Sequence, residues 1–131
     1  MRTKQLSVFL ENKTGRLNDV TKILASVSIN MTAFSVADNS DFGILRMLVS
    51  DNAAARDILK QNGFAVIITD VLAVHIGNKP GTLFAILDLL SHADIYIEYM
   101  YAFSEGETAS VVIRPDNLEK AIQLLELNNI L

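Results

Sequence analysis

The stretch Leu6-Ser7-Val8-Phe9-Leu10-Glu11-Asn12-Lys13-Thr14-Gly15-Arg16-Leu17 decides the fold, because the chain repeats its pattern 66 residues later. The second copy reads Leu72-Ala73-Val74-His75-Ile76-Gly77-Asn78-Lys79-Pro80-Gly81-Thr82-Leu83. Self-similarity at a fixed offset is typical of chains built from repeated structural units. Since the offset is about half of the 131 residues, the sequence predicts two copies of one small unit. Ligand sites often form between such units.

Each copy begins with a strand that leads through a turn into a helix. Leu6, Val8 and Leu10 occupy alternate positions, which is the period of a strand with one buried face. After the turn at Gly15, apolar residues recur at helical spacing and predict a helix with one apolar stripe. The stripe comprises Leu17, Val20, Ile23, Leu24 and Val27, and its counterpart comprises Leu83, Ile86, Leu89, Leu90 and Ala93.

Two β-rich runs and a second helix follow in each copy. The predicted strands cover 29–37 and 44–50, joined by 38–41, and 95–103 and 108–114, joined by 104–107. On this alignment the second hairpin is one residue shorter, so the offset falls to 65 afterwards. Asp51 and Asp116 are then predicted to cap the second helices, with Glu119 completing a capping box.

The predicted element order is strand–helix–strand–strand–helix–strand, which is the order of the ferredoxin-like fold. We therefore expect an α+β protein of two ferredoxin-like βαββαβ units, residues 1–69 and 70–131, with antiparallel sheets and helices on one face. In the first unit, the last predicted strand covers 64–68. At the offset of 65 this strand should recur at 129–133, but the sequence given ends at Leu131. The last strand of the second unit is thus expected to be short or missing. Either 129–131 is its stub or another segment takes its place.

The composition disfavours several classes of function. A net charge of −4 disfavours nucleic acid as a partner, because phosphate contacts need a basic surface. No apolar run approaches the roughly 20 residues that span a bilayer, so no membrane partner is expected. The chain has no cysteine and two histidines, so neither a metal nor another cofactor is expected. The absence of cysteine also suits a cytoplasmic protein.

The repeated loops between the first strand and the first helix are candidate anion sites. A glycine at the turn lets the backbone approach a ligand closely, and the helix start beyond it presents unpaired N–H groups. Asn12 and Asn78 each add a donor and an acceptor, which suits a zwitterion. Asn, Gly and Pro are also ordinary turn residues, so the loops alone leave a purely structural role open.

The motif order resembles that of the ACT domain, a small-molecule sensing module that usually binds amino acids. Asn78-Lys79-Pro80-Gly81-Thr82-Leu83 resembles the family's loop motif, and Ser28-Ile29-Asn30-Met31 is similar to the start of its second strand. The resemblance covers the whole chain as a tandem pair. It implies a ligand that lies between two domains and contacts the loop between the first strand and the first helix and the start of the second strand. The implied ligand-binding residues are Asn12, Thr14, Gly15, Arg16, Leu17 and Asn30 in the first unit, and Asn78, Pro80, Gly81, Thr82, Leu83 and Tyr96 in the second.

The two implied sites differ. Tyr96 stands where the first unit has Asn30, and Thr14 replaces the family's proline in the first loop. The first unit is favoured because it keeps both asparagines, Asn12 and Asn30. We expect an amino-acid-binding regulatory protein that is not an enzyme, forms a homodimer and has a metabolic enzyme as a further partner. A small ferredoxin-like enzyme and a pure protein-interaction module are the alternatives. Binding of RNA through the aromatic strand that contains Tyr99 and Tyr101 is a weaker third.

Overall fold

The computed structural model describes residues 1–38 and 41–131. Its strands are β1 (Arg2–Glu11), β2 (Met31–Asp38), β3 (Phe42–Val49), β4 (Ala65–Gly77), β5 (Ile97–Glu105) and β6 (Thr108–Pro115). Its helices are α1 (Arg16–Ser26), α2 (Asn52–Gln61), α3 (Thr82–His92) and α4 (Leu118–Leu127). The predicted hairpin connection at 38–41 includes residues 39 and 40, which lie outside the described residues.

The chain divides into two compact units, which we name after their position in the sequence. The amino-terminal unit is Lys4–Thr69, and the carboxy-terminal unit is Asp70–Leu131 together with Met1–Thr3. Strand order is β2-β3-β1-β4 in the first and β1-β4-β6-β5 in the second. In each unit the antiparallel strands and two helices form a ferredoxin-like α+β fold, as predicted.

Each unit has its own hydrophobic core, in which both helices pack on the same face of the sheet. In the amino-terminal unit, alternate residues of β1 and β3 contact the apolar stripes of α1 and α2. This core includes Leu6, Val8, Leu10, Leu45, Met47, Val20, Leu24, Ala55 and Leu59. The equivalent core of the carboxy-terminal unit includes Leu72, Val74, Ile113, Ile86, Leu90, Ala121 and Leu125. The alternation of apolar residues in the sequence therefore identified the helix-facing side of the strands correctly. The expectation of a single buried face was wrong for β1, because Gln5 and Ser7 on its other face are 0% and 9% exposed.

Strand pairing shows that the offset between the units stays at 66 throughout. Leu6 pairs with Met47, and Leu72 pairs with Ile113, so both partners are 66 residues apart in sequence. The predicted shorter second hairpin is therefore wrong. The hairpin of the carboxy-terminal unit turns at Gly106, whose φ of 63° lies in the left-handed region.

The corrected offset moves the cap of α4 by one residue. The Asn117 side chain accepts a hydrogen bond from the Lys120 N–H at 3.0 Å, as Asp51 accepts one from Ala54 at 3.1 Å. Asp116, predicted to be this cap, instead accepts from the Tyr96 N–H at 3.1 Å. Both are good capping residues, so the sequence alone did not distinguish them. With Asn117 as the cap, Glu119 falls outside a capping box.

The place of the missing fourth strand is taken by the start of β1. Met1 and Ala73 exchange two backbone hydrogen bonds, of 2.8 and 2.9 Å, which is the pattern of a hydrogen-bonded antiparallel pair. Burial lowers the pKa of the Met1 amino group, and the Glu126 carboxylate partly opposes this shift. Residues 1–3 thus contribute to the carboxy-terminal unit, whereas the sequence had assigned them to the first domain. Ile130 is no strand residue: its N–H closes the end of α4 by donating to Leu125 at 2.9 Å.

Candidate functional site

The first helix of each unit starts without a side-chain cap. Gly15 precedes α1 with φ 95° and Gly81 precedes α3 with φ 91°, both in the left-handed region that favours glycine. Neither N-cap residue makes a side-chain hydrogen bond, whereas α2 and α4 are capped by side chains. In the first backbone hydrogen bonds of these helices, the Asp19 N–H donates to the Gly15 carbonyl at 2.9 Å and the Ala85 N–H donates to the Gly81 carbonyl at 3.1 Å. The earlier N–H groups therefore form a partly positive surface in both loops.

A cavity of about 580 Å³ lies beside this loop in the amino-terminal unit. The end of β1, the loop, the start of α1, the end of β2 and the start of β3 form its walls. Its lining residues are Leu10, Glu11, Asn12, Lys13, Thr14, Arg16, Leu17, Val36, Ala37, Asp38 and Gly43. Four predicted site residues, Asn12, Thr14, Arg16 and Leu17, are thus brought together around one cavity.

The cavity contains charged side chains of both signs. The Lys13 ammonium lies 3.4 Å from a carboxylate oxygen of Glu11. Arg16 contacts Asp19 at 3.5 Å, and its guanidinium carbon lies 4.7 Å from the centre of the Phe64 ring. The Nε atom of Arg16 is buried and has no hydrogen-bond partner among the described residues. Stacking on Phe64 therefore orients a guanidinium whose hydrogen-bonding capacity is only partly used.

Asn30 does not join this cluster within its own unit. Asp38, at the end of β2, pairs with Gly43 near the loop, whereas Met31, at its start, pairs with Val49. Asn30 precedes the start of β2, so it lies roughly 20 Å along the strand from the nearest lining residue of that strand, Val36. Its backbone exchanges hydrogen bonds with Ser50, both of 3.0 Å. Asn12 and Asn30 of the same unit therefore cannot contact one small ligand together.

The loop of the carboxy-terminal unit uses its polar groups internally. The Asn78 side chain donates to the Gly106 carbonyl at 3.2 Å, and the Asn78 N–H donates to Glu107 at 2.7 Å. The Thr82 hydroxyl lies 2.7 Å from the Gly77 carbonyl and 2.9 Å from the Lys79 carbonyl. These bonds fasten the loop to its own hairpin and helix. The Asn78 and Thr82 side chains, which the resemblance implies for ligand binding, thus have hydrogen-bond partners within their own unit.

The remaining predicted residues of the carboxy-terminal unit are at the surface. Pro80 and Gly81 are exposed, and Leu83 is 36% exposed at the start of α3. Tyr96 is 68% exposed, and its backbone N–H is held by Asp116. They share no described hydrogen bond with one another.

Seven residues that line the cavity of the amino-terminal unit were not among the predicted site residues: Leu10, Glu11, Lys13, Val36, Ala37, Asp38 and Gly43. Val36 and Asp38 belong to the end of β2, which meets the loop only in the folded sheet. The β-rich pattern of 29–37 predicted a strand here. Which end of that strand meets the loop depends on strand pairing, which no local motif encodes.

Two negative observations apply to residues 1–38 and 41–131. Within these ranges, no three His, Asp or Glu side chains are grouped so that they could hold a metal ion. No helix there is long and apolar enough to cross a membrane.

Comparison with known proteins identifies the family of the chain. The family model described as "ACT domain pair" matches residues 1–131. The crystal structure of protein BT0572 from Bacteroides thetaiotaomicron is 50% identical, covers 99% of this chain and 90% of its own, and superposes with a TM-score of 0.94. No curated protein matches the chain significantly.

A more distant likeness concerns the fold alone. The ligand-free regulatory subunit of aspartate kinase from Thermus thermophilus is 16% identical, with coverage of 95% of this chain and 91% of its own and a TM-score of 0.66. The corresponding subunit from Thermus flavus is 17% identical, with coverage of 97% and 94% and the same TM-score of 0.66. The family match and the 50% identical structure carry the assignment. The chain belongs to the ACT domain pair family.

Proposed function

We propose that this protein is a regulatory amino-acid sensor that binds its ligand at the loop between β1 and α1 of the amino-terminal unit. The observation that carries this proposal is the cavity of about 580 Å³ at the uncapped start of α1. A helix start favours a carboxylate because its N–H groups lack partners and its dipole is positive there. The likeness in fold to regulatory subunits of aspartate kinase agrees with a role in regulation.

The ligand's polar groups match those of the cavity. Its α-carboxylate lies at the N–H groups of the first turn of α1, where Arg16 can supply a charged donor. Its α-ammonium lies toward the carboxylate of Asp38, and Asn12 can accept or donate a further hydrogen bond. Within the carboxy-terminal unit the equivalent side chains are Thr82, Ser104 and Asn78. We therefore assign the ligand to the amino-terminal unit.

A second copy of the chain completes the site. In the amino-terminal unit β2 is an edge strand, and its residues Phe34 and Val36 are 60% and 50% exposed. An antiparallel pair of β2 strands related by a two-fold axis at Ser35 sets Phe34 of each copy opposite Val36 of the other. Since the strands run in opposite directions, Asn30 of the second copy then lies at the end of β2 that borders the cavity. The homodimer thus supplies Asn12 and Asn30 to one ligand.

Regulation follows from this bridging position. A ligand that contacts two copies stabilises one arrangement of the dimer over others. If a metabolic enzyme binds one arrangement preferentially, the ligand changes the affinity of the dimer for that enzyme. The enzyme changes the affinity for the ligand by the same factor. Such coupling is typically about 1–3 kcal/mol, which is sufficient for regulation.

The proposal is tested by thermal unfolding of the purified protein with each of the common amino acids, followed by calorimetry of those that bind. At about 100 times its Kd a ligand adds about 2.7 kcal/mol to the free energy of unfolding, which raises Tm by several degrees. Asn30→Ala should weaken binding at least tenfold, whereas Tyr96→Ala, at the equivalent position, should leave it unchanged. If no amino acid raises Tm, the sensor proposal is wrong and a protein-interaction module is the better interpretation.

A further inference from the structure

We infer that the carboxy-terminal unit binds an extended peptide segment of a partner protein, which adds as a strand to the edge of β4. The segment has apolar residues at alternate positions and a basic residue beside them. The residues concerned take no part in the proposed amino-acid site, so this inference does not rest on the proposed function.

The hydrogen bonds along β4 show which of its backbone groups face this edge. In an antiparallel sheet, successive residues of a strand direct their N–H and C=O groups to opposite neighbouring strands. Ala73 exchanges both backbone hydrogen bonds with Met1, whereas the Asn78 N–H donates to the Glu107 carbonyl, on the side of β6. The even-numbered residues of this part of β4 therefore bond to β6, and His75 faces the same edge as Ala73.

The edge of β4 is open beyond Ala73. In the carboxy-terminal unit, as far as the structure describes it, strand pairing on this side stops at the pair of Met1 and Ala73. The N–H and C=O groups of His75 consequently have no strand partner there. A residue of an added antiparallel strand can exchange two hydrogen bonds with His75, as Met1 does with Ala73 two residues away.

A cavity of about 560 Å³, which we call the edge cavity, lies along this open edge. Ala73 and His75 of β4 border it on the strand side, and Ile122 of α4 and the following Ile130 and Leu131 border it on the helix side. Leu131 is 37% exposed, so it has apolar surface left to bury. The edge cavity thus combines backbone groups that suit a strand with a wall that suits apolar side chains.

The amino-terminal unit shows what fills the equivalent space there. The first half of β4 covers the same side of β1, and Phe64 and Val66, each 7% exposed, belong to the core. Ile68 packs against that core. Phe64 corresponds to Ile130, but no described residue of the carboxy-terminal unit takes the place of Val66 or Ile68. An added strand with apolar residues at alternate positions would fill the edge cavity in the same way.

The charges around the edge cavity favour a basic segment. Glu119 forms an ion pair with Arg2, whereas Glu126 has no ion pair with a basic side chain among the described residues, its charged neighbour being the Met1 amino group. In the amino-terminal unit, Lys60 stands at the position of Glu126. The carboxy-terminal unit as a whole has nine acidic and four basic residues, so it attracts a positively charged partner.

The test uses the full chain and the labelled peptide Lys-Ala-Val-Ile-Ile-Thr-Lys, with binding measured by fluorescence anisotropy. The peptide contains residues 65–69, which fill the equivalent space in the amino-terminal unit, between two lysines. We expect saturable binding of one peptide per chain and slower hydrogen exchange of the His75 amide. A control peptide with serine in place of the valine and of the second isoleucine should bind about tenfold more weakly, because it buries less apolar surface.

Two pairs of variants locate the peptide. His75→Pro removes the N–H at the open edge but none that bonds to β6, so the fold should persist. It should weaken the peptide about tenfold, whereas His75→Ala keeps the backbone groups and should leave the affinity unchanged. Ile122→Arg introduces a charge into the apolar wall and should also weaken binding about tenfold. Arg56→Ile, at the equivalent position of α2, is its matched control and should have no effect.

Several outcomes would overturn the inference. One is failure of the lysine-flanked peptide to bind, and another is equal affinity of His75→Pro and His75→Ala while circular dichroism shows both folded. Should His75→Pro not fold, unchanged affinity of Ile122→Arg would have the same meaning. If light scattering showed self-association that Ile122→Arg abolishes and Arg56→Ile does not, a second copy of the chain would occupy the edge cavity instead of a partner's peptide.

Discussion

The two loops that precede α1 and α3 have the same backbone conformation, but their side chains make different contacts. Both have a left-handed glycine, with φ of 95° and 91°, and both lead into an uncapped helix. In the carboxy-terminal loop, the Thr82 hydroxyl lies within hydrogen-bond distance of the Gly77 and Lys79 carbonyls. In the amino-terminal loop, Arg16 stacks on Phe64 beside an open cavity. The repeated motif therefore gives the same backbone conformation in both copies, whereas the side chains at equivalent positions, such as Arg16 and Thr82, make different contacts.

The largest predicted effects test how far the two units are alike in their cores. Leu24→Ala and Leu90→Ala truncate equivalent buried side chains of α1 and α3, which are 1% and 0% exposed. Each should lower the free energy of unfolding by about 2–5 kcal/mol, because apolar contacts are lost and a cavity remains. Urea titration measures both, with Leu127→Ala as a control at an 81% exposed position. A cost below about 1 kcal/mol at either buried site would contradict the equivalence of the cores.

The next prediction distinguishes the effect of each loop glycine on stability from its effect on ligand binding. Gly15→Ala and Gly81→Ala should each cost about 1–2 kcal/mol of stability, since an L-residue is strained in the left-handed region. Steric overlap adds nothing, because a Cβ atom at either position meets no atom within 4 Å. Only Gly15→Ala should also weaken amino-acid binding, by tenfold or more, because it distorts the helix start that borders the cavity. Equal weakening by both variants, measured by calorimetry, would show that the second loop binds too.

The fold was predictable because its signals are local. Apolar alternation around Val8 and Val74 and the helical stripes after each glycine depend on neighbours in sequence. The replacement of the fourth strand by Met1–Thr3 was not predictable, because the bond between Met1 and Ala73 joins residues 72 positions apart. The one-residue error in the second hairpin had a similar cause. Strand register depends on cross-strand partners, and the turn residues alone left two alignments open.

The candidate site was predictable only in part. Asn12, Thr14, Arg16 and Leu17 follow one another in a single loop, so one motif located them all. Val36 and Asp38 reach the same cavity through the pairing of β2 with β3, which the sequence pattern does not specify. Thr82 illustrates a second limit of a sequence motif. Its position in the motif suggested contact with a ligand, whereas in the structure its hydroxyl donates to the Gly77 carbonyl of its own loop.

The smallest predicted effect tests the corrected alignment at the start of α4. Asn117→Ala should lower the free energy of unfolding by about 1 kcal/mol, because the Lys120 N–H loses its acceptor. Asp51→Ala, its counterpart at α2, should cost a similar amount through Ala54. Asn117→Asp keeps an acceptor and should retain most of the stability, measured by thermal and urea unfolding. Asp116→Ala instead removes the acceptor of the Tyr96 N–H. A further substitution that improves the cap of α4 therefore cannot recover the stability that Asp116→Ala loses. If Asn117→Ala had no effect while Asp116→Ala alone weakened α4, the cap would lie at Asp116 and the offset of 65 would return.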